Sequence, residues 1–389
     1  MPPQRTLKRT NPISFALAAL LTVGFLYFIF TNPEDDYPSK QRLGSKDAAA
    51  NVLSPPSLPF FRHLGETNPR PPPVVHYHMN NLTTTADPIA NRETVLILTP
   101  LAKFYQGYWD NLNKLSYPHD LISLGFIIPK GREGNAATVE LQKAISKVQS
   151  GSKSKRFASI SILRQDTENP LISQDESERH KLENQKMRRA AMSKARNSLL
   201  FTTLGPTTSW VLWLDADIVE TPETLIQDLA AHDKPIIVPN CFQRFYNEET
   251  KQMDVRPYDF NSWIDSPTAQ DLASKMDKDE ILLEGYAEMP TYRSLMAKVA
   301  NTNNPDPSKE VQLDGVGGTA LLVKAEVHRD GAMFPAFSFY HLIETEGFAK
   351  MASRLGWKSW GLPEYFVSYG SAYTCSTVSL EAFVCERKS

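Results

Sequence analysis

The sequence predicts an α/β protein whose mostly parallel sheet is flanked by helices and preceded by a membrane anchor and a stem. First, short apolar runs alternate with segments of helical spacing from Glu93 onward, a pattern typical of strands joined by crossover helices. Second, a fully apolar run at residues 210–214 is followed at once by Asp215 and Asp217. Third, an uncharged apolar run near the N-terminus is followed by a proline-rich stretch.

Residues 13–30 form the uncharged run and are the predicted transmembrane anchor. At a rise of about 1.5 Å per residue, a helix of this length spans roughly 27 Å, enough for a thin bilayer. Arg5, Lys8 and Arg9 precede it, so residues 1–12 are predicted to be a cytosolic tail, with the remaining chain in the lumen. A cleaved signal peptide is the alternative, but the run ends in bulky residues where a signal peptidase needs small ones.

The chain after the anchor divides into three predicted parts. Residues 31–92 are rich in Pro, Ser and Asn and form a lumenal stem, since such a composition cannot bury a core. The stem contains a glycosylation sequon at Asn81. Residues 93–369 form a globular head, and residues 370–389 show no periodicity, so we expect a disordered tail.

Charge and cysteine content exclude several classes of protein. The 389-residue chain has a net charge of −2, which gives no electrostatic reason to expect a nucleic-acid partner. Its 3 cysteines do not make a disulfide framework, although Cys375 and Cys385 could pair. The cysteines also lack the spacing of metal ligands, which argues against a structural zinc site.

The head is predicted to alternate between strands and helices. The strands are residues 94–99, 121–128, 157–163, 210–214, 235–239 and 319–323. The helices are residues 139–148, 178–204, 222–232 and 346–355. Between residues 241 and 304 the pattern is irregular, aromatic and polar. This region therefore predicts long loops, which in a compact domain are often functional.

Asp215 and Asp217 follow the buried strand directly. Residues two apart in an extended segment point the same way, so both carboxylates are predicted to face one hard cation. Mn²⁺ or Mg²⁺ fits, because these ions keep positions open for water and phosphate. In open α/β sheets, ligands bind beyond the carboxyl ends of the strands, where this pair lies. Two alternatives stay open, a chance Asp-x-Asp pair and Asp217 capping a helix near Pro222.

The helix predicted before this strand is strongly basic. Arg189 and Arg196 share one helix face, with Arg188 beside it and Lys194 nearby. Guanidinium groups bind diphosphates through paired hydrogen bonds, so this face is a candidate phosphate site. A solvated basic face is the alternative.

Four segments, taken in order, resemble the fungal mannan-polymerase α-mannosyltransferases, glycosyltransferase family 62. They are residues 210–220 (WVLWLDADIVE), 256–263 (RPYDFNSW), 314–318 (DGVGG) and 343–347 (IETEG). The resemblance implies a GT-A-like, Rossmann-type catalytic domain, GDP-mannose as donor and Mn²⁺ (or Mg²⁺) as cofactor. The implied product is the α-1,6-mannan backbone of N-glycans or cell-wall mannoprotein. It also implies a type II Golgi membrane protein, with the endoplasmic reticulum as a second location, in a complex with homologous subunits.

The resemblance assigns roles to individual residues of the head. Asp217, Asp259, Glu344 and Glu346 are implied to be catalytic, Asp215 and Asp217 to bind the metal, and Arg188, Arg196, Asn197 and Asp215 to bind the donor. On sequence alone, Asp259 also fits an ordinary packed loop, although its aromatic neighbours suit sugar faces. Glu344 and Glu346 point alike if their segment is extended, or lie at the start of a helix. An α-linked donor and product imply a retaining reaction, and no residue stands out as the nucleophile.

One position departs from the family pattern. Members carry a histidine shortly after a Gly-Leu-Pro-x-Tyr segment, implied to complete the metal site. Here Tyr365 is followed by Phe366, Val367, Ser368 and Tyr369. Neither Ser nor Tyr replaces imidazole well as a neutral ligand, so the metal is held more weakly or the C-terminus is altered. Two other hypotheses therefore stand beside an active transferase, a non-catalytic structural subunit of a mannan polymerase complex and a lumenal nucleotide hydrolase.

Overall fold

Buried apolar runs form the central strands of the computed structural model, which describes residues 74–79, 82, 84–165, 182–286, 288–301, 304–370, 373–378 and 382–387. None of the helices within those ranges is long and apolar enough to cross a membrane. The predicted tail 1–12, the anchor 13–30, most of the stem 31–92 and its Asn81 lie outside the described residues.

The strands of the head form one main sheet. In chain order the strands are β1 (Val95–Pro100), β2 (Ile122–Pro129), β3 (Ser159–Gln165), β4 (Trp210–Leu214), β5 (Ile218–Glu220), β6 (Ile236–Asn247), β7 (Gln252–Pro257), β8 (Trp263–Ile264), β9 (Ser294–Leu295), β10 (Val311–Leu313), β11 (Ala320–Lys324), β12 (Ser359–Tyr369), β13 (Tyr373–Val378) and β14 (Ala382–Arg387). The main sheet has the order β10-β12-β6-β11-β4-β1-β2-β3, with β5 beside β12 and β7 beside β6. Two small pairs, β8 with β9 and β13 with β14, are separate.

Helices connect and cover these strands. In chain order they are α1 (Gln106–Lys114), α2 (Arg132–Gln149), α3 (Leu182–Thr203), α4 (Leu225–Ala231), α5 (Pro267–Lys275), α6 (Ala325–Arg329) and α7 (Glu344–Arg354). The basic helix that the sequence predicts before β4 is α3, and it contacts β1, β2 and β3 as well as α7.

The sheet is mixed, which corrects the prediction of a mostly parallel one. β4, β1, β2 and β3 run parallel to one another, and β6 runs parallel to β12. β11, however, is antiparallel to both β4 and β6, and β5, β7 and β10 also pair antiparallel. A run of apolar residues predicts a buried strand but carries no information on strand direction.

Both faces of the sheet are buried at β4, as the continuous apolar run at 210–214 predicts. Trp210, Leu212 and Leu214 pack into one core cluster with residues of α1, α2 and α4. Val211 and Trp213 pack into a second cluster with residues of α3, α6 and α7. Successive side chains of β4 therefore enter opposite cores, which holds the end of this strand rigidly.

Several element boundaries differ from the prediction. The helix expected at 139–148 begins at Arg132, and the strand expected at 235–239 continues to Asn247 and forms a hairpin with β7. The long strand β12 was not predicted. The tail expected to be disordered after residue 369 contains β13 and β14, paired so that Cys375 lies opposite Cys385.

Candidate active site

A cleft of about 680 Å³ opens where β4 ends and β11 begins. Because β11 is antiparallel to β4, the residues just before β11 lie beside those just after β4. The Asp215 amide donates to the Thr319 carbonyl at 3.0 Å and joins the two ends. Six of the residues to which the resemblance assigns roles line this cleft, namely Arg188, Arg196, Asp215, Asp217, Asp259 and Glu344, and so does Arg189 of the basic helix face.

Asp215 and Asp217 reach the cleft from a turn. The Ile218 amide donates to the Asp215 carbonyl at 3.1 Å, so the segment is not the extended strand end that the sequence argument assumed. Both carboxylates nevertheless line the cleft. The helix that follows, α4, has Thr224 at its N-cap, so Asp217 does not cap it. The Gly370 amide donates to the Asp217 carbonyl at 2.7 Å and holds the turn against the end of β12.

Either Ser368 or Tyr369 stands where the family pattern has a histidine, and Tyr369 lies next to this acidic turn. Its backbone pairs with Ile218, and its ring stacks on Tyr258 with centroids 3.8 Å apart. Burial raises the pKa of Tyr258, and Tyr369 and Asp217 raise it further. Tyr258 therefore stays protonated and neutral at physiological pH.

Arg196 donates hydrogen bonds to two of the carboxylates in the cleft. Its Nη2 donates to Asp215 Oδ1 at 2.8 Å, and its Nε donates to Glu344 Oε1 at 3.4 Å. The guanidinium lies 5.4 Å from the ring of Trp213 and 5.6 Å from that of Phe334, and its side chain is only 2% exposed. Burial opposes its charge, but the two carboxylates hold the pKa of Arg196 above its usual value. The cleft thus contains a permanent buried cation.

The acidic turn fits a divalent cation that arrives with a phosphorylated ligand. Burial raises the pKa of Asp215; Arg196 opposes that rise and Glu344 adds to it. A second cation would relieve this crowding of carboxylates. In the part of the chain that the structure describes, no three His, Cys, Asp or Glu side chains are grouped to hold a metal ion. Two carboxylates still suit Mg²⁺ or Mn²⁺ when phosphates and water complete the coordination.

Asp259 is an oriented, nearly buried carboxylate of the cleft, 8% exposed. Its Oδ1 accepts hydrogen bonds from the Asn261 backbone amide at 2.8 Å and from Asn261 Nδ2 at 3.0 Å. Its Oδ2 accepts from Thr319 Oγ1 at 3.2 Å. Burial raises the pKa of Asp259, and these hydrogen bonds oppose the rise. Asp259 therefore forms an Asx turn that stabilises its own loop, and it also lines the cleft.

Glu344 and Glu346 point in different directions. Both lie in the first turn of α7, where residues two apart do not share a face. Glu344 has a φ of 56° and turns toward Arg196. Glu346 is 0% exposed, and its Oε2 pairs with Arg189 Nη1 at 2.6 Å. Only Glu344 of the two lines the cleft.

Asn197 also does not line the cleft. Its side chain donates to the Phe334 carbonyl at 2.7 Å and accepts from the Phe334 amide at 3.0 Å, which joins α3 to the loop before α7. Asn261, Thr319 and Tyr286 also line the cleft, although no sequence pattern singled them out. Asn261 and Thr319 lie within or beside matched segments and could have been found there. Tyr286 lies in the irregular region, where no pattern marked it.

Gly317→Ala should destabilise the protein, because a Cβ at this position would lie 1.6 Å from Asp259 Oδ2. The carboxylate is held by three hydrogen bonds, so its displacement should lower the free energy of unfolding by about 1–3 kcal/mol. Denaturant unfolding measures this loss. Gly205→Ala is the control, since the nearest atom to its Cβ is 3.6 Å away, and it should stay within about 0.5 kcal/mol of wild type. Equal stability of the two variants would refute the steric argument.

Comparison with known proteins gives consistent matches. The family model described as Anp1 matches residues 73–338. The Mannan polymerase complex subunit MNN9 of Candida albicans is 57% identical over 360 residues, covering 92% of this chain and 95% of that protein. The Mannan polymerase complex subunit mnn9 of Schizosaccharomyces pombe is 60% identical over 292 residues, covering 75% and 84%. The solved structure of "Mannosyltransferase PcManGT from Pyrobaculum calidifontis in complex with GDP-Man and Mn2+" is 11% identical, with a TM-score of 0.38 and coverage of 75% of this chain and 59% of that one.

Proposed function

The chain belongs to the Anp1 family, which confirms the resemblance to the fungal mannan polymerase subunits, and on that premise we propose that it is a metal-dependent retaining mannosyltransferase. It would transfer mannose from GDP-mannose to the α-1,6-mannan backbone of N-glycans or cell-wall mannoprotein. The observation that carries this proposal is the cleft at the end of β4, where Asp215 and Asp217 lie with Arg188 on α3.

The two ends of the donor would meet different side chains. Asp215 and Asp217 would hold Mn²⁺ or Mg²⁺, which when bound would neutralise charge on the departing diphosphate. Arg188 would donate paired hydrogen bonds to the same diphosphate. Asp259 would accept hydrogen bonds from sugar hydroxyls, and Glu344, held by Arg196, would orient the attacking hydroxyl of the acceptor.

The relatives' names support a place in an assembly, since they are called subunits of mannan polymerase complexes. We propose that this chain likewise works with homologous subunits. The predicted anchor and stem would hold the head in the Golgi lumen, where a mannan acceptor is present. Membrane extraction of the full chain with carbonate and with detergent tests the anchor directly.

One assay separates the transferase from its alternatives. The purified full chain is incubated with GDP-mannose, Mn²⁺ and a short α-1,6-mannoside, alone and with its homologous subunits. Elongated mannoside supports the transferase. Release of GDP without elongation supports a nucleotide hydrolase. Elongation that requires the other subunits and survives loss of Asp217 supports a non-catalytic structural subunit.

The structural subunit is the stronger of the two alternatives. Tyr369 or Ser368 stands in place of the histidine of the family pattern, and Arg196 already contacts one oxygen of Asp215. Both features weaken a metal site that would have only two protein carboxylates. Against this alternative, both carboxylates line a cleft that is large enough for a nucleotide sugar.

Tyr369→His should tighten Mn²⁺ binding in the presence of GDP by roughly tenfold, the lower end of what changes around metal ligands produce. Residue 369 lies beside the acidic turn, because Gly370 donates to the Asp217 carbonyl, and imidazole is a better neutral ligand for Mn²⁺ than a phenol. Calorimetric titration with Mn²⁺ measures the change. Ser368→His is the control and should not tighten binding. If only the Ser368 variant gains affinity, residue 368 occupies the ligand position instead.

A further inference from the structure

A chain of polar contacts runs from the buried interior beneath the cleft to Asp259. Glu346 accepts hydrogen bonds from Trp263 Nε1 at 2.8 Å and from Arg189 Nη1 at 2.6 Å. The other terminal nitrogen of the same guanidinium, Arg189 Nη2, donates to Asn261 Oδ1 at 2.9 Å. Asn261 then donates its backbone and side-chain amides to Asp259 Oδ1. Each contact fixes the orientation of the next side chain.

We propose that Arg189 and Asn261 are positioning residues that, anchored on Glu346, hold the Asp259 carboxylate in one orientation toward the bound sugar. This inference rests on the proposed transferase function. It also reassigns Glu346, which acts through Arg189 and touches no sugar. The relay is the set Glu346, Arg189, Asn261 and Asp259.

The chemistry of Arg189 suits this role. Its planar guanidinium donates to Glu346 and to Asn261 at once, so the angle between the two contacts is set by the group itself. A lysine ammonium is a point charge on a flexible stem and does not fix such an angle. Burial opposes the charge of Arg189, while Glu346 holds its pKa above the usual value. The Arg189 guanidinium therefore remains charged and keeps all its N–H donors.

The surrounding backbone leaves Asp259 little freedom to turn. A Cβ at Gly317 would meet Asp259 Oδ2, and a Cβ at Gly315 would lie 2.4 Å from the Trp263 ring. The same short segment therefore packs against Asp259 at one end of the relay and against Trp263, which donates to Glu346 at the other end. Carboxylates that orient a substrate need this kind of support, because a misplacement of about 1 Å can cost on the order of 100-fold in rate.

A double-mutant cycle tests the relay in the full chain with its homologous subunits. Asn261→Ala should lower kcat for mannose transfer by about 10–100-fold, with the KM for GDP-mannose changed less than about twofold. In an Asp259→Asn background the same change should lower kcat less than about twofold further, because the relay acts only through Asp259. Losses that multiply in the double variant would overturn the relay.

Arg189→Lys tests the relay member that joins Glu346 to Asn261. It should reproduce the kcat loss of Asn261→Ala without weakening GDP binding measured by calorimetry. Weaker GDP binding would instead make Arg189 a direct donor contact and overturn the proposal. The buried Asn111, which accepts from Thr221 outside the cleft, gives the control Asn111→Ala, whose kcat should stay within about twofold of wild type.

A readout independent of transfer separates the relay from the proposed function. With ¹³C-labelled aspartate, the Asp259 carboxyl resonance is identified by its loss in Asp259→Asn. Arg189→Lys should shift this resonance although Arg189 does not hydrogen-bond Asp259, whereas Asn111→Ala should not. An unshifted resonance in Arg189→Lys refutes the relay whatever the activity. A shifted resonance in a wild-type protein that transfers no mannose supports the relay and refutes only the proposed function.

Discussion

Asp217→Asn should abolish mannose transfer and leave the fold intact. The carboxylate is one of two proposed metal ligands, and a bound metal stabilises several kcal/mol of charge in the transition state. Loss of about 4 kcal/mol corresponds to a roughly 1000-fold lower kcat/KM. Asn keeps the size of Asp and is favoured in turns, so the turn between β4 and β5 should form normally. Transfer to a short α-1,6-mannoside measures the activity, and the melting temperature reports the fold.

Two comparisons make this result specific to the metal. Asp110→Asn removes an exposed carboxylate on α1 that accepts a hydrogen bond from Gln106 Nε2, and the variant should transfer mannose at the wild-type rate. GDP with Mn²⁺ should raise the melting temperature of wild type, since a ligand that binds only the folded state stabilises it, and should not raise that of Asp217→Asn. An active Asp217→Asn variant would show that the metal is held elsewhere or that another subunit performs the transfer.

The sequence predicted that Asp215, Asp217 and Arg196 lie near one another, and the structure places all three in the lining of one cleft, because the sequence signal for them is local. The apolar run at 210–214 is buried on both faces, and polar residues that follow such a strand emerge at the edge of a sheet. Arg189 and Arg196 share a helix face by spacing alone, and both line the cleft. These inferences needed no knowledge of which strands pair.

The remaining features depend on pairings that are distant in the sequence. Gly318 and Thr319 join the site because β11 runs antiparallel to β4, and an apolar strand does not reveal its direction. Glu344 and Glu346 face different ways in the first turn of α7, and which of the two lines the cleft depends on how α7 packs against α3. The spacing of basic residues on a helix does not predict the ion-pair partners of Arg196, because Asp215 and Glu344 approach it from two other elements. Sequence patterns therefore miss the site residues whose positions depend on contacts between segments that are far apart in the sequence.

Arg196→Met should destabilise the protein more than any other single change considered above. The variant keeps the apolar contacts with Trp213 and Phe334 but leaves Asp215 and Glu344 as neighbouring carboxylates without their cation. Breaking a buried ion pair by removing one partner costs about 3–5 kcal/mol. The Asp215 side chain is 29% exposed, so solvent screens its charge. We therefore expect a loss of about 3 kcal/mol, the lower end of that range. Urea unfolding of both proteins at neutral pH measures the difference.

The pH dependence of this loss identifies its cause. Burial and Glu344 raise the pKa of Asp215 in the folded protein, and Arg196 is the group that lowers it. A carboxyl whose pKa is raised on folding costs stability above its unfolded pKa, and this cost disappears as pH falls toward about 4. The deficit of Arg196→Met should therefore shrink between pH 7.5 and pH 5. Arg329, whose recorded hydrogen bonds go to the carbonyls of Gly205, Pro206 and Thr208, provides the control. The deficit of Arg329→Met should not shrink in this way, and a pH-independent deficit in Arg196→Met would mean that lost packing, not unpaired charge, destabilises it.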